Sequence, residues 1–179
     1  MPAPDDFSRA PEKPLFALLD RLGTRVKTHA HAKVFTVAES EHVKVDMPGG
    51  HTKNLFLKDK KGQLFLVVAL HDAAIDLKSL HRRLGSGRLS FGGAELLLEV
   101  LGITPGSVTP FSLINDPNGR VTVILDKPML DHSLLNYHPL ENTATSAIAR
   151  DDLLRFIRAT GHEPRILAAS TTELAIAQL

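Results

Sequence analysis

Three polar or glycine-rich segments of this chain lie beside strongly apolar runs: Thr52-Lys53-Asn54, Gly106-Ser107-Val108-Thr109-Pro110-Phe111, and Asn136-Tyr137-His138-Pro139-Leu140-Glu141-Asn142-Thr143. A polar group next to a core must find a hydrogen-bond partner or serve a ligand, because burying it unpaired is costly. Taken singly, each segment also has a plain reading. Lys53 is then the solvated start of a strand, Gly106 to Pro110 a helix-to-strand turn, and His138-Pro139 a turn carrying a surface imidazole. Nine histidines raise metal chemistry. His29 and His31 would share a strand face, but no HExxH or HxxEH motif occurs and no carboxylates stand at ligand spacing, so no metal site is expected. Cysteine is absent, which excludes a thiolate nucleophile, a cysteine-bound zinc and a disulfide framework. Gly85-Ser86-Gly87 and Gly92-Gly93 lack the lysine and the strand context of a phosphate loop, and no G-x-S-x-G elbow marks a serine nucleophile.

The elements that must position these segments are read from periodicity and caps. Pro11 to Leu22 reads as a helix, with Leu15, Leu18, Leu19 and Leu22 on one stripe and Gly23 as its stop. Arg25 to Ala30 alternates as a short strand. The capping-box pattern from Thr36 to Glu39 predicts a second helix. Lys53 to Lys58 and Leu64 to Leu70 flank the turn residues Asp59-Lys60-Lys61-Gly62, the clearest hairpin signal in the chain. The second run is apolar on both faces and is expected to be a central strand. Asp76 to Leu84 is a basic amphipathic helix closed by Gly85, and Ala94 to Leu101 an apolar one closed by Gly102. Further strands are expected over Arg120 to Leu125, Leu134 to His138 and Thr143 to Ile148, and a last helix over Asp151 to Ala159. Strands and helices interleave without a βαβ period, which predicts an α+β domain on a mixed sheet, partly closed and barrel-like, flanked by helices.

With 179 residues, 43% of them hydrophobic and 23% charged, the chain suits one globular domain. The expected division is a flexible N-terminus over 1–10, a single domain over 11–169 and a tail over 170–179. No run is apolar enough to span a bilayer and the N-terminus lacks a secretory signal pattern, so a soluble cytoplasmic protein is the expectation. No heptad seam stands out, and a monomer is expected. The net charge of +1 conceals an asymmetry: between His51 and Ser90, eight Lys or Arg face three acids. That stretch is either a solvated hairpin tip and helix face or a surface that meets a phosphate backbone.

Taken together, the order Thr52-Lys53-Asn54-Leu55-Phe56-Leu57, Leu89-Ser90-Phe91 with Glu95-Leu96-Leu97, Gly102 through Phe111, then His138-Pro139 with Asn142-Thr143 resembles the YbaK and prolyl-tRNA-synthetase-associated editing-domain family. Within that family it is most similar to the freestanding alanyl-tRNA(Pro) deacylases. The resemblance runs from Pro11 to Leu167. It implies hydrolysis of a mischarged aminoacyl ester on tRNA, without a cofactor, at a site formed by Lys53, Asn54, Gly106 and His138. Lys53 would hold the tRNA 3′ end and the reacting ester. The backbone of Gly106, Ser107, Val108, Thr109 and Pro110 would line the substrate site. Ser107 and Thr109 stand where many relatives carry smaller or different residues, which leaves their side-chain roles open.

Lys58 and Arg88 would contact the acceptor stem. Proline tRNA, through its 3′ acceptor end, is the implied partner, with transient contact to the prolyl-tRNA synthetase and none to membranes. In the family the terminal ribose hydroxyl is thought to assist the attacking water. Such an ester is already activated, so oriented water and fixed donors for the oxyanion are enough, and no covalent nucleophile is needed. The alternatives are a deacylase for cysteine or serine, a non-catalytic tRNA-binding module, and a metal-dependent esterase.

Overall fold

The computed structural model of the chain describes residues 13–32 and 47–171. The expected helix at Thr36, the N-terminal residues 1–10 and residues 172–179 of the tail lie outside them. In chain order the helices are α1 (Pro14–Arg21), α2 (Leu77–Leu84), α3 (Ala94–Leu101) and α4 (Arg150–Ala159). The strands are β1 (Lys27–Ala30), β2 (Gly50–Asp59), β3 (Leu64–Leu70), β4 (Leu89–Phe91), β5 (Val121–Asp126), β6 (Leu134–Tyr137), β7 (Ala144–Ala149) and β8 (Arg165–Leu167). Two 3-10 turns, Pro110–Asn115 and Lys127–Asp131, flank β5.

The hairpin of β2 and β3 is the frame, pairing antiparallel from Thr52 opposite Leu70 to Lys58 opposite Leu64. Its turn is held by the Asp59 carboxylate, which accepts the N–H groups of Lys61 and Gln63 at 2.9 Å each and of Gly87 at 3.0 Å. One buried side chain thus fixes the hairpin and ties it to the segment entering β4. Burial pushes the Asp59 carboxyl up, but the N–H groups of Gln63, Gly87 and Lys61 and the Lys61 charge outweigh it, holding Asp59 below the ordinary range.

The sheet runs β1-β7-β6-β2-β3-β5-β8, with β4 paired to β2 off this path. Pairings are mixed: β2–β6, β3–β5 and β5–β8 are parallel and the rest antiparallel. The α+β class and the mixed sheet are those expected; the path stays open from β1 to β8 and does not close into a barrel. As expected, β3 is central, and six of its seven residues are buried.

Both faces of the sheet are covered. On one, Phe56, Leu66, Val68, Val123 and Leu125 pack against α1, α3, α4 and the first 3-10 turn. On the other, Leu57, Phe65, Val67 and Ile124 pack against Leu80 and Leu84 of α2. Each such side chain, fully buried, contributes about 1.5–3 kcal/mol against exposure. The helix ends follow the sequence signals: the Asp76 side chain caps α2 by accepting the Lys78 N–H, and Gly85 and Gly102 close α2 and α3 at φ 69° and 65°.

Candidate active site

The site is made by a gap along one edge of β2. On that edge β6 pairs only with Gly50 and His51, and β4 pairs only from Leu57 to Asp59. The Thr52 hydroxyl donates to the Asn136 carbonyl at 2.7 Å, and the Asn136 amide donates to Pro48 and Gly50, which seats β6 at the start of the strand. Among the described residues Lys53 to Leu55 therefore have no strand beside them on that edge. In an antiparallel ladder, alternate residues turn their backbone groups toward the same partner. His51 accepts from His71 on the β3 side and Asp59 donates to Gln63, whereas Phe56 accepts from Gly92 on the other side. By this alternation the N–H and C=O of Asn54 face the gap.

A cavity of about 250 Å³ occupies this edge, lined by Asn54, Leu55 and Phe56 of β2, Phe91 to Ala94, Leu97, and Pro105, Gly106 and Val108. Among the described residues Asn54 is the one polar side chain in that lining. Its Oδ1 is buried without a partner, and among the described residues its carboxamide makes no hydrogen bond. Three glycines, Gly92, Gly93 and Gly106, are in the lining. Gly106 holds φ +92°, open to residues without a Cβ, and a Cβ there would meet the Asn142 amide at 3.6 Å. Gly92 lies against the Phe56 ring, where a Cβ would come within 2.5 Å of two ring carbons.

The rest of the Gly106 loop is spent on its own geometry. Ser107 is buried and its N–H donates to Thr104. Thr109 caps the following 3-10 turn, its hydroxyl accepting the Phe111 N–H at 3.3 Å, and Pro110 opens that turn. Val108 alone of the four expected substrate-binding residues borders the cavity.

Asn54, Gly106 and Val108 thus come together, while the other predicted residues lie around them. Successive strand residues point to opposite faces, so Lys53 projects on the α2 face, where its ammonium donates to the Ala73 carbonyl. His138 follows β6, and its Nδ1 is 2.9 Å from the Ala144 carbonyl. A carbonyl can only accept, so Nδ1 carries the proton and a neutral ring keeps Nε2 as an acceptor. Burial pushes the imidazole down from its ordinary value, the Ala144 bond opposes this, and the nearby His31 adds to it. The two rings stand 6.2 Å apart. Leu140, in the same loop, takes φ 72°, a left-handed conformation that costs a bulky side chain roughly 1–2 kcal/mol.

A second hollow, of about 420 Å³, lies between α2 and β4, lined by Leu77, Lys78, His81, Arg82, Arg88 and Leu89. It gathers most of the basic helix face expected from the sequence. Arg88 belongs to it; Lys58 is exposed on the opposite face of β2, by the same alternation that separates Lys53 from Asn54. Among the described residues no group of three or more His, Cys, Asp or Glu is placed to hold a metal ion, and no helix is long and apolar enough to cross a membrane.

Several lining residues were not among the expected site residues: Leu55, Phe56, Phe91, Gly92, Gly93, Ala94, Leu97 and Pro105. The pair Gly92-Gly93 was a visible signal of close backbone approach, but nothing local says that Phe56 is what it approaches.

The architecture is shared with solved structures, among them a candidate trans-editing enzyme for prolyl tRNA synthetase. That structure superposes with a TM-score of 0.68 at 20% identity, covering 94% of this chain and 99% of that one. The family follows from sequence. A model of the aminoacyl-tRNA editing domain matches residues 31–156. Prolyl-tRNA synthetase associated domain-containing protein 1 of Danio rerio is 42% identical over 158 residues, spanning 87% of this chain and 86% of its own. The prolyl-tRNA editing protein ProX of Acetoanaerobium sticklandii is 38% identical over 149 residues, spanning 83% and 91%. The chain belongs to the aminoacyl-tRNA editing domain family.

Proposed function

We propose that the protein is a trans-editing deacylase that hydrolyses the ester of alanine mischarged on proline tRNA. The observation that carries this reading is the uncommitted Asn54 carboxamide, set with its own backbone N–H and C=O in a small apolar cavity at an unpaired strand edge. Such a constellation suits an acyl group with one carbonyl and one amine. The backbone N–H is a fixed donor for an oxyanion, and the carbonyl and amide oxygen are acceptors for an ammonium. Water attacks the ester carbon, the tetrahedral oxyanion is held, and collapse releases alanine and the terminal ribose hydroxyl. Lys53 and His138, outside the cavity lining, hold the terminal nucleoside, His138 through its Nε2, which has no partner among the described residues. The names of the relatives from Acetoanaerobium sticklandii and Danio rerio support prolyl-tRNA as the carrier.

At about 250 Å³ the cavity falls below the ~300–1,000 Å³ usual for small-molecule sites. It accommodates an alanyl group together with an attacking water. An apolar slot rejects an added hydroxyl only weakly, so seryl esters are poor but real substrates, and the choice of tRNA rests on base contacts.

The test is turnover at catalytic concentration on alanyl-tRNA(Pro) beside alanyl-tRNA(Ala), cysteinyl-tRNA(Pro) and seryl-tRNA(Pro). Fastest release is expected from the first, with Asn54→Ala lowering kcat/KM roughly 10- to 100-fold, as for loss of one hydrogen bond to the charged substrate ammonium. Preference for the cysteinyl or seryl ester overturns the assignment to alanine. Binding without turnover on any of them reduces the protein to a tRNA-binding module.

A further inference from the structure

Phe91 is 63% exposed, although a phenylalanine normally contributes by burying its ring. A lone exposed apolar side chain is ordinary on a protein surface, so its position has to carry the argument. Phe91 pairs with Leu57 across β2 and shares the α2 face with Leu89, roughly 7 Å back along β4. Leu89 borders the hollow that holds Lys78, His81, Arg82 and Arg88, while Phe91 borders the cavity that holds Asn54 and Gly106. The ring therefore stands at the boundary between a cation-lined hollow and the site for the reacting group. It is also held in place, since the next residue, Gly92, donates its N–H to the Phe56 carbonyl at 3.0 Å.

We infer that Phe91 is a stacking platform for the terminal base of the RNA 3′ end, and this rests on the function proposed above. An anionic strand with its ester in the edge cavity and its phosphates at the basic hollow passes over this ring. Unpaired RNA ends are recognised by stacking bases on aromatic side chains, and any base will stack. Phe91 accordingly supplies affinity and register of the acceptor end, while the identity of the tRNA is read elsewhere. It acts as a positioning residue, fixing where the ester lies relative to Asn54.

The decisive experiment compares equilibrium binding of uncharged tRNA with its intact 3′ end and of the same tRNA shortened by the terminal nucleotide. It uses the wild-type protein and Phe91→Ala, Phe91→Leu and Phe91→Trp. Alanine and leucine are expected to weaken binding of the intact tRNA by roughly 5- to 100-fold, the range of one base–aromatic stack. They should leave the shortened tRNA unaffected, while tryptophan retains wild-type affinity. Because the ring is exposed, melting midpoints should stay within a degree or so of wild type, which separates this loss from unfolding. Equal effects on the two RNAs, no effect on either, or full binding by Phe91→Leu would overturn the inference. The readout needs no catalysis, so a protein that hydrolyses no mischarged tRNA yet discriminates the two RNAs through Phe91 would refute the deacylase reading alone.

Discussion

The cavity at the open edge of β2 and the hollow between α2 and β4 differ in almost every physical respect, although Leu89 and Phe91, two residues apart, border one each. Among the described residues the first is lined by one polar side chain, three glycines and no charge. The second is larger and gathers two arginines, a lysine and a histidine. Charge in water is a long-range and salt-screened attraction, well suited to gathering a polyanion and poorly suited to telling one small side chain from another. Close steric fit has the opposite properties. On the function proposed above, the molecule separates the two tasks and joins them by a three-residue strand.

The comparison breaks most sharply at Gly92. A methyl group there would collide with Phe56 from 2.5 Å and push a rigid ring into the cavity. Gly92→Ala is expected to lower kcat/KM for the mischarged substrate about 10²-fold, the usual penalty of a small misplacement at a reacting centre. A stability cost of about 1–3 kcal/mol should accompany it. Steady-state kinetics together with denaturant melts check both, and an unimpaired Gly92→Ala enzyme would remove the steric half of the comparison.

The electrostatic half is tested in the hollow. Arg82→Ala combined with Arg88→Ala should raise KM about ten-fold at low salt and leave kcat nearly unchanged. It should also flatten the dependence of log KM on log salt by about two units, one for each lost phosphate contact. A fall in kcat with an unchanged salt slope would show that these arginines serve the chemistry and not the gathering of the polyanion.

The smallest effect concerns the partly buried imidazole of His138, in the loop that follows β6. The His138 imidazole is pushed below its ordinary 6.5 in the folded protein, chiefly by burial. The unfolded chain then binds the proton more readily, so stability is complete above about pH 6.5 and declines as the pH falls from there toward the lower folded value. Urea midpoints measured from pH 7.5 to 5.5 should fall on acidification in the wild type and fall less in His138→Gln. Identical profiles would mean that the imidazole is no more hindered from charging than one in water.

Much of the framework was legible because its signals are local. Asp59-Lys60-Lys61-Gly62 announces a turn whichever way the chain continues, and the glycines closing α2 and α3 do the same for helix ends. Strand β3 read as central because a run apolar on both faces has nowhere else to go. The short strands β4 and β8 were missed, since three residues cannot establish a period of two; what makes them strands is a partner, β2 or β5, already in place.

The site was legible as a set of residues and not as an arrangement. Lys53, Gly106 and His138 were expected to frame one hollow. In the structure Gly106 meets Asn54 at the cavity, Lys53 reaches Ala73 across the sheet, and His138 is tied to Ala144. Neighbouring strand residues face opposite ways, so a motif that is contiguous in sequence is divided between two surfaces.

The amino-acid sequence alone determined the class of fold, the hairpin at its centre, the basic stretch and the family resemblance, because each rests on residue type and spacing within short reach. Only the tertiary structure decided that β6 and β4 stop short of each other along β2, and with that where the cavity lies and that Asn54 faces it. Strand pairing is set by partners tens of residues away, and no local pattern records where two of them will leave an edge uncovered.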